Sequence, residues 1–356
     1  MASDPPSHQT VFLHIGMHKT ASTYIQRKLI KNRDLLRSNG ILMPRNRKIA
    51  NSLVLAVKTK RWKPWRRWLQ RAKDRNCNLL VSHEALSTLL YKNIPNKKRS
   101  RGTWLAKKLK NCGWNLKIIC YIRDQESYLN SRYTQLVKRL KLNSKFDSYV
   151  MNTMEGGTIS ECDVMVLFKW LIRNKEVKKT LIPFESIANH SGSNTQSQLD
   201  PFEQFVREIE MPKNLVYRCK TIRSFNQQPG RLGVELALKI HSFLAMYKPN
   251  LVKKYRKQIC KSIDNTVELN EWHAEPFQGL DEALVEKIRV HYQSSNEKFC
   301  RYFWPGQTWT VIFNHSCINY CNPIKMSTEE SNKLDNYCKK VIIQTLPAQA
   351  ITNFSA

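Results

Sequence analysis

The chain has 356 residues, 41% of them hydrophobic, and its 59 lysines and arginines against 28 acidic residues give a formal net charge of +31. This composition excludes a disordered or fibrous chain, and it leaves room for one large domain with an appendage or for two ordinary domains. The charge favours acidic partners such as a nucleotide, an anionic glycan, nucleic acid or an acidic membrane surface, and it equally fits a general basic bias of composition.

The N-terminal residues and the cysteines indicate in which cellular compartment the protein is expected. Residues 1–7 are polar and do not predict a signal peptide, and no apolar run reaches the roughly 18 residues needed to cross a bilayer. We therefore expect a cytoplasmic protein with no transmembrane segment. The ten cysteines are spread along the chain, which favours buried free thiols. Cys317, Cys321 and Cys338 are candidate metal ligands, but a fourth ligand at suitable spacing is not evident.

The first predicted elements are a strand, a turn and a helix. Residues 11–15 are a short, mostly apolar run, as in a strand buried on both faces of a parallel sheet. Residues 16–20 form the turn, and the predicted helix runs from Ala21 to Ser38. A helix start has unpaired N–H groups and the positive end of the helix dipole, so it favours an anion such as phosphate or phosphosulfate. The turn adds one cation and several hydroxyl donors at this point: Lys19, Thr20, Ser22 and Thr23.

Two kinds of nucleotide-binding loop have this architecture. The signature of nucleotide triphosphatases ends in Gly-Lys-Ser/Thr and has an earlier glycine, whereas here His18 precedes Lys19 and Leu13 stands at the earlier position. Residues 16–23, Gly-Met-His-Lys-Thr-Ala-Ser-Thr, instead resemble the 5′-phosphosulfate-binding loop of the sulfotransferases that use 3′-phosphoadenosine 5′-phosphosulfate (PAPS), especially bacterial carbohydrate-type members. Ala21 stands where that family usually has glycine. The resemblance implies that the donor nucleotide is bound by His18, Lys19, Thr20, Ala21, Ser22 and Thr23.

A basic segment at residues 61–71 carries three tryptophans, Trp62, Trp65 and Trp68, at helical spacing. One interpretation is a helix with its apolar face on the core and its charges in solvent. The other is an acceptor-binding wall, because aromatic faces stack on sugars and arginine pairs with their acidic groups.

A second apolar strand, Asn78–Ser82, ends directly in His83 and Glu84. Ligands of open α/β sheets collect beyond the carboxyl ends of the strands, although Glu84 at this position would also favour a helix start electrostatically. The sulfotransferase resemblance implies a catalytic base here. Glu84 is the first candidate, His83 the second and His18 the third.

A third strand, Leu116–Ile122, ends in Arg123, and a helix begins near Ser127 with Ser131 predicted off its buried stripe. The Arg-x₇-Ser spacing is similar to the 3′-phosphate-binding signature of the same sulfotransferases, while an ordinary exposed pair is the alternative. Arg123 would hold the phosphate by its bidentate fork and Ser131 by its hydroxyl. The two signatures occur in the order that a nucleotide with phosphates on both its 5′ and 3′ sides requires.

The remainder predicts one more strand at residues 180–185, a helix capped by Asp200, and two long helices over residues 232–251 and 284–303. The predicted fold class is α/β, with three α/β/α layers, a central parallel sheet and an α-rich C-terminal half. The resemblance makes it a P-loop-like sulfotransferase fold. We expect a main domain over residues 1–306 and an appendage over residues 307–356, with a helix capped by Ser327 and Glu330.

The resemblance implies a PAPS-dependent sulfotransferase that moves a sulfuryl group to a hydroxyl or amine of an acceptor, expected to be a carbohydrate, with no metal. Lys19 would stabilise charge on the leaving phosphate. One alternative is a P-loop kinase or triphosphatase that uses ATP and Mg²⁺, with Asp124 as metal ligand. A second is a non-enzymatic binder of anionic polymers that works through the tryptophan-rich segment. Nucleic acid is not the expected partner.

Overall fold

The computed structural model describes residues 9–17, 20–95, 97–155, 161–184, 200–212, 214–220, 228–247, 249–313 and 326–347. His18 and Lys19 therefore lie outside the described residues. The chain divides into two compact units. Unit 1 comprises Met1–Asp124, Ser160–Ser224 and Tyr292–Cys317, and unit 2 comprises Gln125–Ile159, Phe225–His291 and Ile318–Ala356.

The described secondary structure is mostly helical, around five strands. The strands are β1 (Thr10–His14), β2 (Ile41–Leu42), β3 (Asn78–Ser82), β4 (Asn115–Ile122) and β5 (Lys178–Pro183). The helices are α1 (Ser22–Lys31), α2 (Arg33–Ser38), α3 (Arg47–Thr59), α4 (Lys63–Lys73), α5 (Ala85–Leu90), α6 (Arg101–Lys110), α7 (Gln125–Lys138), α8 (Phe146–Met154), α9 (Val164–Ile172), α10 (Pro201–Glu208), α11 (Leu215–Arg218), α12 (Gly230–Tyr247), α13 (Pro249–Leu269), α14 (Glu282–Phe303), α15 (Trp309–Ile312) and α16 (Thr328–Thr345).

The sheet lies in unit 1 and has the order β2-β3-β1-β4-β5, with every neighbouring pair parallel. Strand β1 is central, so Leu13 pairs with Val81 on one side and with Ile118 on the other. Val11, Phe12 and Leu13 are fully buried, as expected for an apolar run with both faces covered. The predicted α/β class with a central parallel sheet is confirmed, and β3 occupies the predicted residues.

Helices cover both faces of the sheet. Residues of α1, α2 and α10 form one buried cluster with Phe12, Leu80 and Tyr121 on the first face. Helices α5 and α6 contact each other, and both contact α3 and α9. Helix α4 contacts α3 and β3, and α6 contacts β4. Strand residues that point away from the first face, such as Val81 and Ile118, are fully buried as well. The arrangement is consistent with three α/β/α layers.

The predicted helix from Ala21 to Ser38 is two helices, with Asn32 at the break. The Asn32 side-chain amide donates to the Lys28 carbonyl at 2.8 Å, and its oxygen accepts from the Lys220 amide at 2.7 Å. A buried asparagine that bonds backbone in two places ends α1, because these bonds compete with continued helix. The prediction of one continuous helix was wrong for this reason.

The tryptophans of α4 follow the core interpretation only in part. Trp65 is fully buried, and its Nε1 donates to the Leu53 carbonyl of α3 at 3.1 Å. Trp62 stacks on Trp65 with ring centroids 6.3 Å apart. Trp68 is half-buried, with the Arg71 guanidinium 5.3 Å from its ring centroid. Trp65 therefore anchors α4 to α3.

Unit 2 is helical in its described residues. Helices α12, α13 and α16 contact one another. The predicted cap of α16 is confirmed, because Ser327 and Glu330 form a reciprocal capping box. Glu330 is also paired with Arg231 of α12. Pro249 opens a new helix after α12, so the predicted stripe over residues 232–251 is divided between α12 and α13, whereas the predicted helix over residues 284–303 is α14.

The cysteines with described placement are free thiols, and six of the eight are buried. The described residues contain no group of three or more histidine, cysteine or acidic side chains placed to hold a metal ion, but Cys317 and Cys321 lie outside them. Within the same described ranges, no helix is long and apolar enough to cross a membrane.

Candidate functional site

The predicted site residues of unit 1 follow the carboxyl ends of the three central strands, β1, β3 and β4. The chain leaves β1 through α1, which packs on the first face, and it leaves β3 through α5 and α6, which belong to the other layer. Ligand crevices of open α/β sheets form where successive connections go to opposite faces. The turn after β1 and the end of β3 therefore border such a crevice.

The turn that follows β1 is held by its own side chains. The buried Thr20 hydroxyl donates to the Met17 carbonyl at 2.7 Å. Ala21 has a φ of 50°, in the left-handed region that glycine adopts without strain, and α1 begins at the next residue. No described side chain caps this helix start. Uncapped N–H groups of this kind favour an anion at a helix start.

Gly16 lets this turn pack closely. A Cβ at Gly16 would lie 3.1 Å from the Ser22 Cβ, 3.3 Å from the His14 Nε2 and 3.7 Å from the Thr20 Oγ1. The first two distances are shorter than ordinary van der Waals contact, and both neighbours are buried. The end of β1 and the start of α1 approach this closely only because residue 16 has no side chain.

His14 lies directly beneath the turn and is completely buried. Its Nδ1 is 2.7 Å from the Ser82 Oγ at the end of β3, and its ring centroid is 4.9 Å from that of Phe205. Burial lowers the pKa of His14 to about 4, against the opposing charge of Glu84, so the ring is neutral near pH 7. Its Nε2 has no hydrogen-bond partner among the described residues. Sequence reasoning missed His14, whose signal was a titratable side chain in an otherwise apolar strand.

Glu84 is brought to the N-terminus of α1. The Ser22 hydroxyl donates to the Glu84 Oε2 at 3.4 Å, and the Arg47 guanidinium lies 3.7 Å from the Oε1. The Glu84 side chain is 27% exposed and makes no capping hydrogen bond to α5. The carboxylate is thus open to solvent and next to the predicted anion site.

His83 is engaged at both ring nitrogens. Its Nδ1 accepts from the Ala85 amide at 3.1 Å, so the proton is on Nε2, which donates to the Asn51 Oδ1 at 2.6 Å. The first bond satisfies an amide at the start of α5. His83 therefore caps the start of α5 through this hydrogen bond, and its engagement at both nitrogens favours Glu84 over His83 as the base.

A cavity of about 210 Å³ opens beside Glu84. Helix α1 contributes one face of it, and the segment from Met43 to Ala50 contributes another. The end of β3 closes it with Ser82, His83 and Glu84. Helix α4 contributes no lining residue, so the acceptor-wall interpretation of its tryptophans has no support from this cavity.

Arg123 belongs to unit 1 and Ser131 to unit 2. Arg123 follows β4 and is partly buried, and this burial lowers the pKa of its guanidinium, opposed by the charge of Asp124. Ser131 lies on α7 and is only 2% exposed, so the prediction that it lies off the buried surface was wrong. The alternative of an ordinary exposed pair is wrong as well. Their joint binding of a phosphate stays a prediction.

The structure brings together Thr20, Ala21, Ser22, Thr23 and Glu84 in unit 1. It adds two arginines that sequence reasoning missed, Arg27 and Arg47, whose only signal was their basic character in a basic chain. His18 and Lys19 connect the two described parts of the same turn but lie outside them. No protein-family model, no curated protein and no solved structure matches this chain.

Proposed function

We propose that the protein is a PAPS-dependent sulfotransferase that transfers a sulfuryl group to a hydroxyl or amine of an acceptor, most simply a carbohydrate. The observation that carries the proposal is the contact between Ser22 and Glu84 at the end of the central strand. It joins a helix start suited to an anion to a carboxylate suited to accept a proton. These are the two groups that such a transfer needs side by side.

The described residues on either side of the turn after β1 support the proposed binding of a phosphosulfate. Gly16 brings β1 and α1 close together, and α1 presents its uncapped N-terminus beyond the turn. Backbone N–H groups and the helix dipole bind an anion there without a metal ion. The resemblance of residues 16–23 to the phosphosulfate-binding loop supports a phosphosulfate as the anion. Lys19 in that turn would add a full positive charge.

The reaction forms a bond from sulfur to the acceptor oxygen, or to the nitrogen of an amine acceptor, and it breaks the bond between sulfur and the bridging phosphate oxygen of the donor. The acceptor proton passes to the Glu84 carboxylate. Adenosine 3′,5′-bisphosphate leaves with the electron pair of the broken bond. The N–H groups of α1, with Lys19, stabilise the negative charge that grows on the leaving phosphate, an effect often worth about 3 kcal/mol per well-placed donor.

Glu84 is positioned for proton transfer by two neighbours. Ser22 donates to one of its oxygens, and Arg47 compensates its charge from the other side. His83 is held by Asn51 and the Ala85 amide, so this proposal assigns the role of base to Glu84, the first candidate, rather than to His83. Arg123 and Ser131 are proposed to hold the 3′-phosphate of the donor, a role that positions it rather than activates it.

Calorimetric titration tests the proposal with three nucleotides, adenosine 3′,5′-bisphosphate, ATP with Mg²⁺, and AMP. We expect micromolar binding of the first alone and its loss in Lys19→Ala and in Arg123→Ala. Arg173→Ala, which removes an exposed arginine at the end of α9, is the matched control and should bind like the wild type.

Two results would redirect the assignment. Preference for ATP with Mg²⁺ would support the kinase alternative. Heparin binding that weakens steeply with salt and survives Lys19→Ala, with no binding of adenosine 3′,5′-bisphosphate, would support the polymer-binding alternative.

A further inference from the structure

The cavity beside Glu84 has an apolar interior and a charged mouth. Met43, Pro44 and Ala50 line it from the β2–α3 segment and are buried, and Ile30 lines it from α1. Arg27, Arg47 and Glu84 supply its charged groups. Such a lining accepts a ligand with an apolar face and a few polar substituents.

The charges around this cavity are unequal. Glu84 is the one acidic side chain in the lining, against the two arginines. Arg47 pairs with Glu84 at 3.7 Å, whereas the exposed Arg27 side chain has no hydrogen bond or ion pair with any other described residue. One positive charge is thus left over at the mouth of the cavity. A ligand with one negative charge would balance it.

We propose that this cavity, the Arg27–Arg47 pocket, is the acceptor site and binds a hydroxyl-bearing ring with one carboxylate, as in a uronic acid. The assignment of this cavity as the acceptor site rests on the proposed function. Arg27 receives the carboxylate through its bidentate fork. Arg47, which pairs with Glu84, is the second cation that lines the same cavity.

The size of the pocket limits what enters it. Its volume of about 210 Å³ is below the roughly 300–1,000 Å³ of pockets that hold drug-sized ligands. One ring therefore fits with its apolar face toward Met43 and Pro44, and one of its hydroxyls toward Glu84. A longer glycan would enter by a single residue.

The test compares two probes that differ only at one carbon, methyl β-D-glucuronide and methyl β-D-glucoside. Their binding to the full chain is measured by ligand-observed NMR titration, without any nucleotide. We expect at least tenfold tighter binding of the glucuronide. In Arg27→Gln this preference should fall to less than threefold, while the affinity for the glucoside stays within twofold of the wild type.

Arg45→Gln is the matched control. Arg45 is exposed two residues before Arg47 and does not line the cavity, so its loss removes the same charge without touching the pocket. We expect the preference for the glucuronide to be unchanged. Equal binding of the two probes by the wild type, or equal loss of preference in Arg27→Gln and Arg45→Gln, would overturn the proposal.

The pocket and the sulfotransferase assignment can fail separately. Adenosine 3′,5′-bisphosphate is titrated against the same wild-type preparation. If it binds and the two ring probes do not differ, the assignment stands and the pocket is wrong. If the glucuronide is preferred through Arg27 and the nucleotide does not bind, the pocket stands as an anion-selective ring site and the assignment is wrong.

Discussion

Ser22 and Glu84 are 62 positions apart in the sequence, and the hydroxyl of the first donates to the carboxylate of the second at 3.4 Å. The contact exists because β1 and β3 are parallel neighbours, so the residues that follow them emerge at the same edge of the sheet. It connects the predicted donor-binding turn to the predicted base.

Glu84→Gln is expected to lower kcat of sulfuryl transfer at least a hundredfold, because a positioned general base contributes about 10²–10⁴-fold. The affinity for adenosine 3′,5′-bisphosphate should change less than threefold, since the amide keeps the size of the carboxylate. Single-turnover transfer from PAPS and calorimetry measure the two effects. Glu176→Gln, at an exposed position before β5, is the control and should leave both unchanged. Loss of nucleotide affinity equal to the loss of rate would assign Glu84 to donor binding instead.

Gly16→Ala is expected to weaken the binding of adenosine 3′,5′-bisphosphate at least tenfold. The added methyl group would lie 3.1 Å from the Ser22 Cβ and 3.3 Å from the His14 Nε2, and both side chains are buried, so the turn must open. Gly113→Ala is the control, because it strains the backbone without a close contact. Gly113 has a φ of +77° with open space around it, so alanine there costs about 1 kcal/mol of folding free energy and leaves the nucleotide affinity unchanged. Equal affinity losses in the two variants would mean that Gly16 acts through stability alone.

The elements that sequence predicts best are those with continuous apolar runs. Strand β3 occupies the predicted residues. Its continuous apolar run, Leu79, Leu80 and Val81, is fully buried. Because ligands of open α/β sheets collect beyond the carboxyl ends of the strands, the sequence also predicts Glu84 at the crevice. Sequence does not predict that Asn51 accepts a hydrogen bond from His83, because that bond depends on how α3 packs beside α5.

Other site features could not be predicted for a similar reason. The break at Asn32 depends on Lys220, which is 188 positions away. Arg27 and Arg47 are two of 59 basic residues, and nothing local distinguishes them until the fold brings them around one cavity. Packing between residues far apart in the sequence decides which side chains break a helix or line the cavity. That packing cannot be read from a single sequence.

His14 is expected to make the fold less stable in acid. In the unfolded chain a histidine takes up its proton near pH 6.5, whereas in the folded protein burial holds the pKa of His14 at about 4. The unfolded state therefore binds the extra proton first as the pH falls from 6.5 to 4. The free energy of unfolding decreases over that window by about 3 kcal/mol from this group.

Urea unfolding at pH 7.0, 5.5 and 4.5 measures this loss. His14→Gln should flatten the dependence, because the amide does not titrate. His273→Gln, in the half-buried turn after α13, should retain the wild-type slope. A slope as steep in His14→Gln as in the wild type would assign the acid sensitivity to other groups.

Trp65→Ala is expected to cost about 3–5 kcal/mol of unfolding free energy, because it empties a fully buried site and leaves the Leu53 carbonyl without its indole donor. Arg66→Ala, at the next position and exposed, should change stability by less than about 0.5 kcal/mol. Guanidinium unfolding monitored by far-ultraviolet circular dichroism compares the two. If Trp65→Ala does not fold, Trp65→Phe keeps most of the ring and should still lose about 0.5–1.5 kcal/mol, because the indole hydrogen bond to the Leu53 carbonyl is gone. A Trp65→Ala protein with wild-type stability and lost glycan binding would instead support the acceptor-wall interpretation of α4, since a side chain that anchors α4 to α3 cannot be removed without destabilising the fold.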